Sequence, residues 1–266
     1  MALLHPPFLD LAVAIFLGLA GLVLSAVLRW RRSRFWGPAA VATVLFVGIA
    51  TGALYPRSQV FGYALWRGSR AVHDVALTFD DGPDSRFTPQ ILAILARENV
   101  HATFFMVGAN VVKHPQVARR VADEGHAIGN HTFTHPDLIV ATPRHVRSEI
   151  ERTEQAIQRA TGIRTDLFRP PYGFRTPLVY QQLQRDGLRM VEWTLTSQDW
   201  RNPGPAKICQ RVLRRVRPGS IILFHDGRGN RSDTVAALPT IIHALKHRGY
   251  RLVTIPELLS AGGQPR

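Results

Sequence analysis

Two long apolar runs open the chain, and a different pattern follows them. Residues 8–28 (FLDLAVAIFLGLAGLVLSAVL) hold a single charge, Asp10, and residues 35–55 (FWGPAAVATVLFVGIATGALY) hold none. Each is close to the roughly 20 residues that a helix needs to cross a bilayer. A cleaved leader competes for the first run, but no basic region precedes it and its flanking charge comes after it. A buried helical hairpin is the other competitor. The pattern predicts two transmembrane helices, 8–28 and 35–55, as a membrane anchor over 1–55. Between them, RWRRSR carries Arg29, Arg31, Arg32 and Arg34. Positive loops stay cytoplasmic, so both chain ends and everything from about Pro56 onward are expected outside the cytoplasm, at the cell membrane.

Residues 56–72 read as a linker, and 73–266 as one domain. In that domain short apolar runs alternate with amphipathic stretches. Strands are predicted at 74–80, 102–108, 127–131, 166–169, 189–195, 220–225 and 250–255. Helices are predicted at 88–98, 114–124, 143–160, 176–186, 205–216, 233–248 and 256–260. Thr88-Pro89 and Thr142-Pro143 have the form of a hydroxyl cap followed by proline in the first helical turn. Gly125, Gly162, Gly187 and Gly249 stand just past helix ends, where a left-handed residue is wanted. About seven strand–helix units in alternation predict an α/β fold with parallel strands, either an open doubly wound sheet or a (β/α) barrel. No glycine-rich dinucleotide fingerprint follows the first strand, which disfavours the doubly wound nucleotide-binding variant.

Composition changes this picture little. The formal charge is +14, and without the four loop arginines and Asp10 the outer part keeps about +11. No nucleic-acid motif accompanies the excess, so an anionic membrane or wall surface accounts for it as well as nucleic acid would. The single cysteine, Cys209, excludes an intramolecular disulfide and a cysteine metal cluster.

Chemistry-bearing residues gather where strands end, the end at which barrel enzymes place their sites. The first strand ends in Asp80-Asp81-Gly82-Pro83, two adjacent carboxylates that require something positive nearby. The third is followed by His131-Thr132-Phe133-Thr134-His135. Two imidazoles at this spacing, with a carboxylate from Asp80 or Asp81, make a two-His, one-carboxylate metal set that leaves positions for water and substrate. Arg169-Pro170-Pro171-Tyr172 follows the fourth strand, Ser197-Gln198-Asp199-Trp200 the fifth, and Leu223-Phe224-His225-Asp226 ends the sixth.

These clusters, in this order, resemble the NodB homology domain of the polysaccharide deacetylases, carbohydrate esterase family four. The resemblance covers about 73–256. It rests on TFDDGP at 78–83, HTFTH at 131–135, RPPY at 169–172, SQDW at 197–200 and LFH at 223–225. Some members carry a further aspartate where Ser197 stands. The resemblance implies a distorted (β/α) barrel of about seven parallel strands. It implies a divalent metal on Asp81, His131 and His135. Asp80 becomes the general base, paired with Arg169, and His225 the general acid, oriented by Asp199. The backbone amide of Tyr172 would help bind the oxyanion, and Trp200 and Leu223 would wall the acetyl methyl. Zinc suits a hydrolysis; the donor set also suits iron, cobalt or nickel.

The expected activity is removal of N-acetyl groups from an N-acetylglucosamine-containing envelope glycan. Two alternatives stand beside it: a deacylase or deformylase of a lipid-linked amino sugar, and a non-catalytic carbohydrate-binding protein. A serine esterase is disfavoured, because no Gly-x-Ser-x-Gly elbow is present.

Overall fold

The computed structural model describes residues 36–55 and 57–261, together with Gly21 and Ser25. The expected first span, apart from those two residues, and the arginine loop lie outside the described residues. The chain divides into two compact units, 1–54 and 55–266.

In the first unit, α1 (Trp36–Leu54) is helical, as the second apolar run predicts. Val41, Val44, Leu45, Phe46 and Ile49 on it are exposed. Its side chains are described only over 40–54, short of the roughly 20 residues of a full span. Among the described residues no helix is long and apolar enough to cross a membrane. The two transmembrane helices are therefore not supported by the described structure and rest on the sequence.

The second unit is built on a parallel sheet. Its strands are β1 (Asp74–Asp80), β2 (Thr103–Met106), β3 (Ala127–Asn130), β4 (Leu167–Phe168), β5 (Arg189–Met190), β6 (Leu195–Thr196), β7 (Ile221–His225) and β8 (Arg251–Leu252). The order is β5-β4-β3-β2-β1-β7-β6, with β8 added to the start of β1. β1 is buried along its whole length, which is why its sequence is nearly continuous in apolar residues rather than alternating. Phe79 stacks between Phe104 and Phe224, at centroid distances of 5.0 and 5.6 Å, tying three adjacent strands into the main core.

Helices pack around this sheet: α2 (Phe87–Arg97), α3 (Gly108–Lys113), α4 (Pro115–Asp123), α5 (Pro143–Thr161), α6 (Pro177–Asp186), α7 (Pro205–Arg215), α8 (Ser232–His247) and α9 (Ile255–Ser260). Thr142 caps α5 through its side chain, accepting from the His145 N–H. The four expected glycines all have φ between 69° and 79°. Thr88 does not cap α2. Asp84 Oδ1 accepts from Arg86 N and Phe87 N instead, and the Thr88 hydroxyl is turned inward onto Asp226.

Two departures from expectation have one cause. The strand predicted at 189–195 is split into β5 and β6, and among the described residues no ladder joins them. The segment expected as a linker fills that position. Leu65 N donates to Met190 O, Glu192 N donates to Leu65 O, and Gly68 N donates to Gly219 O. Buried Arg175 fastens the segment's start, donating to the carbonyls of Tyr55 and Ser58. Residues 55–72 thus belong to the domain, and the barrel is closed by a piece of chain without strand periodicity.

Candidate active site

Strand register sets the frame. Asp80 on β1 pairs with Phe105 on one side and His225 on the other. Asn130 on β3 pairs with Phe168 on β4, so His131 and Arg169 leave their strands together. Asp80 continues the strand, whereas Asp81 turns out of it with φ 75°. The turn sends the two neighbouring carboxylates to different partners. Thr132, His135, Tyr172 and Gln198 also have positive φ, so strained backbone collects at these strand ends, at about 1–3 kcal/mol per residue.

The sequence spacing left open which aspartate joins the histidines; the geometry selects Asp81. Its Oδ1 lies 3.1 Å from His135 Nε2 and 3.7 Å from His131 Nε2. One donor atom from each of Asp81, His131 and His135 falls within 4.8 Å of the others. The HTFTH segment is a loop rather than a helix, and Glu149 of α5 shapes it. Buried Glu149 accepts from Phe133 N at 2.8 Å, Thr134 N at 2.7 Å and Thr134 Oγ1 at 2.9 Å. Asn130 Oδ1 accepts from Thr132 N.

These donors fit a divalent cation. His131 Nδ1 is 2.7 Å from Arg169 O. A carbonyl only accepts, so Nδ1 carries the proton and Nε2 presents a lone pair, the arrangement of a metal-binding imidazole. Burial pulls His131 down to about 4 against the opposing charge of Asp80, so the ring is neutral at pH 7. Burial works to raise Asp81, but His135, then His225 and His131, outweigh it and hold the carboxyl below the ordinary range. Among the described residues Asp81 Oδ1 is buried with only the His135 and His131 ring nitrogens near it, a gathering of lone pairs that a cation in this position would satisfy.

Asp80 is held differently. Arg169 Nη1 donates to Asp80 Oδ1 at 2.7 Å and to Thr78 Oγ1 at 2.8 Å. Nε and Nη2 of Arg169 donate to Val191 O and Glu192 O, and the guanidinium lies 4.1 Å from the Phe105 ring centre. That leaves Asp80 Oδ2 facing His131 Nε2 at 3.8 Å.

His225 stands beside Asp80 at the end of β7. Asp199 Oδ1 is 2.8 Å from His225 Nδ1, and Asp199 Oδ2 accepts from His225 N and from Thr234 Oγ1, each at 2.8 Å. The Ser197 hydroxyl lies 2.9 Å from Asp199 Oδ1, so serine serves this motif as a support for Asp199. Burial works to lower His225, but the charge and hydrogen bond of Asp199 prevail and raise it. Trp200 meets the His225 ring edge-on at 5.3 Å. Leu223, two residues back on β7, shares the strand face of His225. The Tyr172 ring meets His135 edge-on at 4.8 Å. All ten residues singled out from the sequence therefore lie at one end of the sheet.

Sequence reading missed the supports: Thr78, Asn130, Glu149, Glu192 and Asp226. Asp226 had the most signal, as a second polar residue after an apolar strand. Its Oδ2 accepts from Thr88 Oγ1 at 2.6 Å. Burial, reinforced by Asp81 and Asp80 and opposed by Thr88, pushes it up to about 7. A Cβ on Gly82 would meet Asp226 Oδ2 at 2.2 Å, and one on Gly227 would meet Asp81 O at 2.1 Å. Glycine at both positions is what lets the two turns close on each other.

A carboxylate and two imidazoles that could hold a metal ion, beside a carboxylate held by Arg169 and an imidazole held by Asp199, form a candidate hydrolase centre on a parallel α/β sheet. A family model described as polysaccharide deacetylase matches residues 67–191. A peptidoglycan-N-acetylglucosamine deacetylase of Bacillus cereus is 40% identical over 209 residues, 78% of this chain and 76% of the relative. A chitooligosaccharide deacetylase of Rhizobium leguminosarum bv. trifolii is 40% identical over 69% of this chain and 91% of the relative. The crystal structure of the Bc1960 peptidoglycan N-acetylglucosamine deacetylase superposes with a TM-score of 0.73 at 38% identity, over 74% of this chain and 92% of that one. The chain belongs to the polysaccharide deacetylase family, carbohydrate esterase family four.

Replacing Asp199 by Asn removes the charge that raises His225. A raised pKa keeps the imidazole protonated as pH climbs, so its loss should move the alkaline limb of the kcat/KM profile to lower pH. An unmoved limb in D199N would show that His225 does not set it. Glu149→Ala frees the HTFTH loop and should weaken metal binding by about 10–100-fold, as lost support around a metal ligand does. Metal titration of the variant checks it, and wild-type affinity would assign Glu149 no such role.

Proposed function

We propose that this chain is a metal-dependent N-deacetylase of N-acetylglucosamine-containing cell-envelope glycans, peptidoglycan first among them. The observation that carries the reading is the side-by-side placement of Asp80 and His225, in register on β1 and β7, next to the Asp81–His131–His135 set. A protein that only bound sugar would have no use for a carboxylate held by Arg169 and an imidazole held by Asp199.

A divalent ion on Asp81, His131 and His135 would supply Lewis acidity toward the acetyl carbonyl and acidify a water; zinc suits this donor set and reaction. Asp80 acts as the base. With Oδ1 committed to Arg169, its free oxygen, Oδ2, takes a proton from the water that adds to the acetyl carbon. The Tyr172 backbone N–H serves the developing oxyanion. His225, protonated through Asp199, gives its Nε2 proton to the departing sugar amine as the carbon–nitrogen bond breaks, leaving acetate and a free amine. Trp200 and Leu223 pack on the acetyl methyl and exclude bulkier acyl groups. Peptidoglycan is favoured by the B. cereus relative and by the apolar residues that precede the domain. Chito-oligosaccharide, the substrate in the Rhizobium relative's name, shares the same N-acetylglucosamine unit.

Asp80→Asn should retain the metal and lose on the order of 10²-fold or more in acetate release from N-acetylglucosamine glycans. Near-normal release by this variant would place the base elsewhere. The domain is further proposed to face outward from the cell membrane, on the strength of the arginine loop at 29–34. A reporter enzyme that works only outside the cytoplasm, fused after Arg266, should be active; activity only of a cytoplasmic reporter there would reverse the topology.

A further inference from the structure

At the other end of β7 from His225 lies a cavity of about 530 Å³ that the proposed chemistry does not use. Ser220, on its lining, precedes β7, and His225 ends that strand. At about 3.3 Å per residue the two are separated by roughly 16 Å. Trp193 touches both regions: it is on the cavity lining, and the Arg169 guanidinium lies 5.8 Å from its ring centre.

The lining holds six arginines and no acidic residue. Trp66 forms one wall, with Arg57 and Arg67 over its ring at 5.1 and 4.7 Å. The last turn of α7 supplies Arg214 and Arg215 to the lining, followed by Arg217. Among the described residues none of the six is in an ion pair, although seven other basic side chains of Arg or Lys type are. The guanidinium groups of Arg57 and Arg217 donate to the carbonyls of Thr194 and Val216. Like charges gathered in one concavity repel one another, a cost that an anionic ligand would remove. Planar guanidinium forks match the oxygens of phosphate. One phosphate fills a small part of such a volume, and Tyr55, Thr194, Thr196 and Ser220 on the lining carry hydroxyls that suit a polyol beside it.

We propose that this cavity is a binding site for a phosphate ester carried on a polyol, such as glycerol phosphate. The ester is supplied either as a free molecule or as the head group of an anionic phospholipid. The site is separate from the catalytic centre, and it begins at Tyr55, the residue after α1. Its occupation would hold the domain to a phosphate-bearing surface while the opposite end of the sheet stays open to glycan.

The full chain, kept in one uncharged detergent, is titrated calorimetrically with sn-glycerol 3-phosphate, and separately with phosphatidylglycerol or phosphatidylcholine in micelles of that detergent. Two double variants are compared with wild type. R67E/R214E reverses charge in the cavity; R119E/R185E makes the same change in net charge at exposed arginines elsewhere. The expected result is binding that the cavity pair weakens by at least about tenfold, or roughly 1.4 kcal/mol, while the remote pair keeps the wild-type Kd. Glycerol phosphate binding in this pattern identifies a free ester as ligand; binding of phosphatidylglycerol alone identifies a head group. No binding of either, equal binding of phosphatidylcholine, or equal loss in both pairs overturns the proposal. Circular dichroism confirms folding, and R67Q/R214Q, which removes charge without reversing it, carries the test if the reversals misfold.

Discussion

Arg169 has no exposed surface, and much of the catalytic end is arranged around that fact. A buried guanidinium left without partners costs several kcal/mol, so the chain must bring acceptors to it. Asp80 and Thr78 come from β1, and the carbonyls of Val191 and Glu192 come from the bend after β5. That bend prevents 189–195 from running as one strand. It also sends the Glu192 side chain inward, where Oε1 lies 3.5 Å from Nε of equally buried Arg175. Arg175 in turn holds the carbonyls of Tyr55 and Ser58, so the segment that closes the barrel is tied to Asp80 through two buried cations. Burial dominates at Glu192 and pushes it up to about 8, with Arg175 and Arg169 opposing.

The same end of the sheet gives four aspartates different partners. Asp80 is ion-paired with Arg169, and the surrounding imidazoles, His135 first, hold Asp81 below the ordinary range against its burial. Asp199 is lowered against its burial by His225, Arg231 and Thr234. Asp226, without a cation, is pushed up to about 7. Like charges this close could not all remain ionised. Titratable groups driven apart by their environments are what acid–base division of labour requires, the division proposed above for Asp80 and His225.

The positive-φ residues serve that division. Asp81 and His135 take backbone conformations that cost energy, and each thereby points a donor atom at the same place. Glu149, Asn130 and Asn110 hold these turns: Asn110 Nδ2 donates to Asp81 O at 2.8 Å. The strain is thus opposed by hydrogen bonds from α3, β3 and α5, elements that carry no catalytic group themselves.

The sequence by itself determined what depends on local pattern. β1 runs over 74–80, as its nearly continuous apolar run predicts, because a strand buried on both faces needs no alternation. Gly125, Gly162, Gly187 and Gly249 end helices because φ near +75° is inexpensive only for glycine. The ten site residues were legible because each sits in a short motif at a strand end. Tertiary structure alone decided the supports. Arg175 meets Ser58 across 117 residues, and Thr88 meets Asp226 across 138, separations over which no periodicity carries information. Thr88 has the local form of a helix cap, yet the buried carboxylate competes for its hydroxyl and wins, because an unsatisfied buried oxygen costs more than a replaceable cap. Residues 64–68 close the barrel for the same kind of reason: the free edge of β5 and the backbone just before β7 present groups that must be paired, and Leu65 and Gly68 reach Met190 O and Gly219 O.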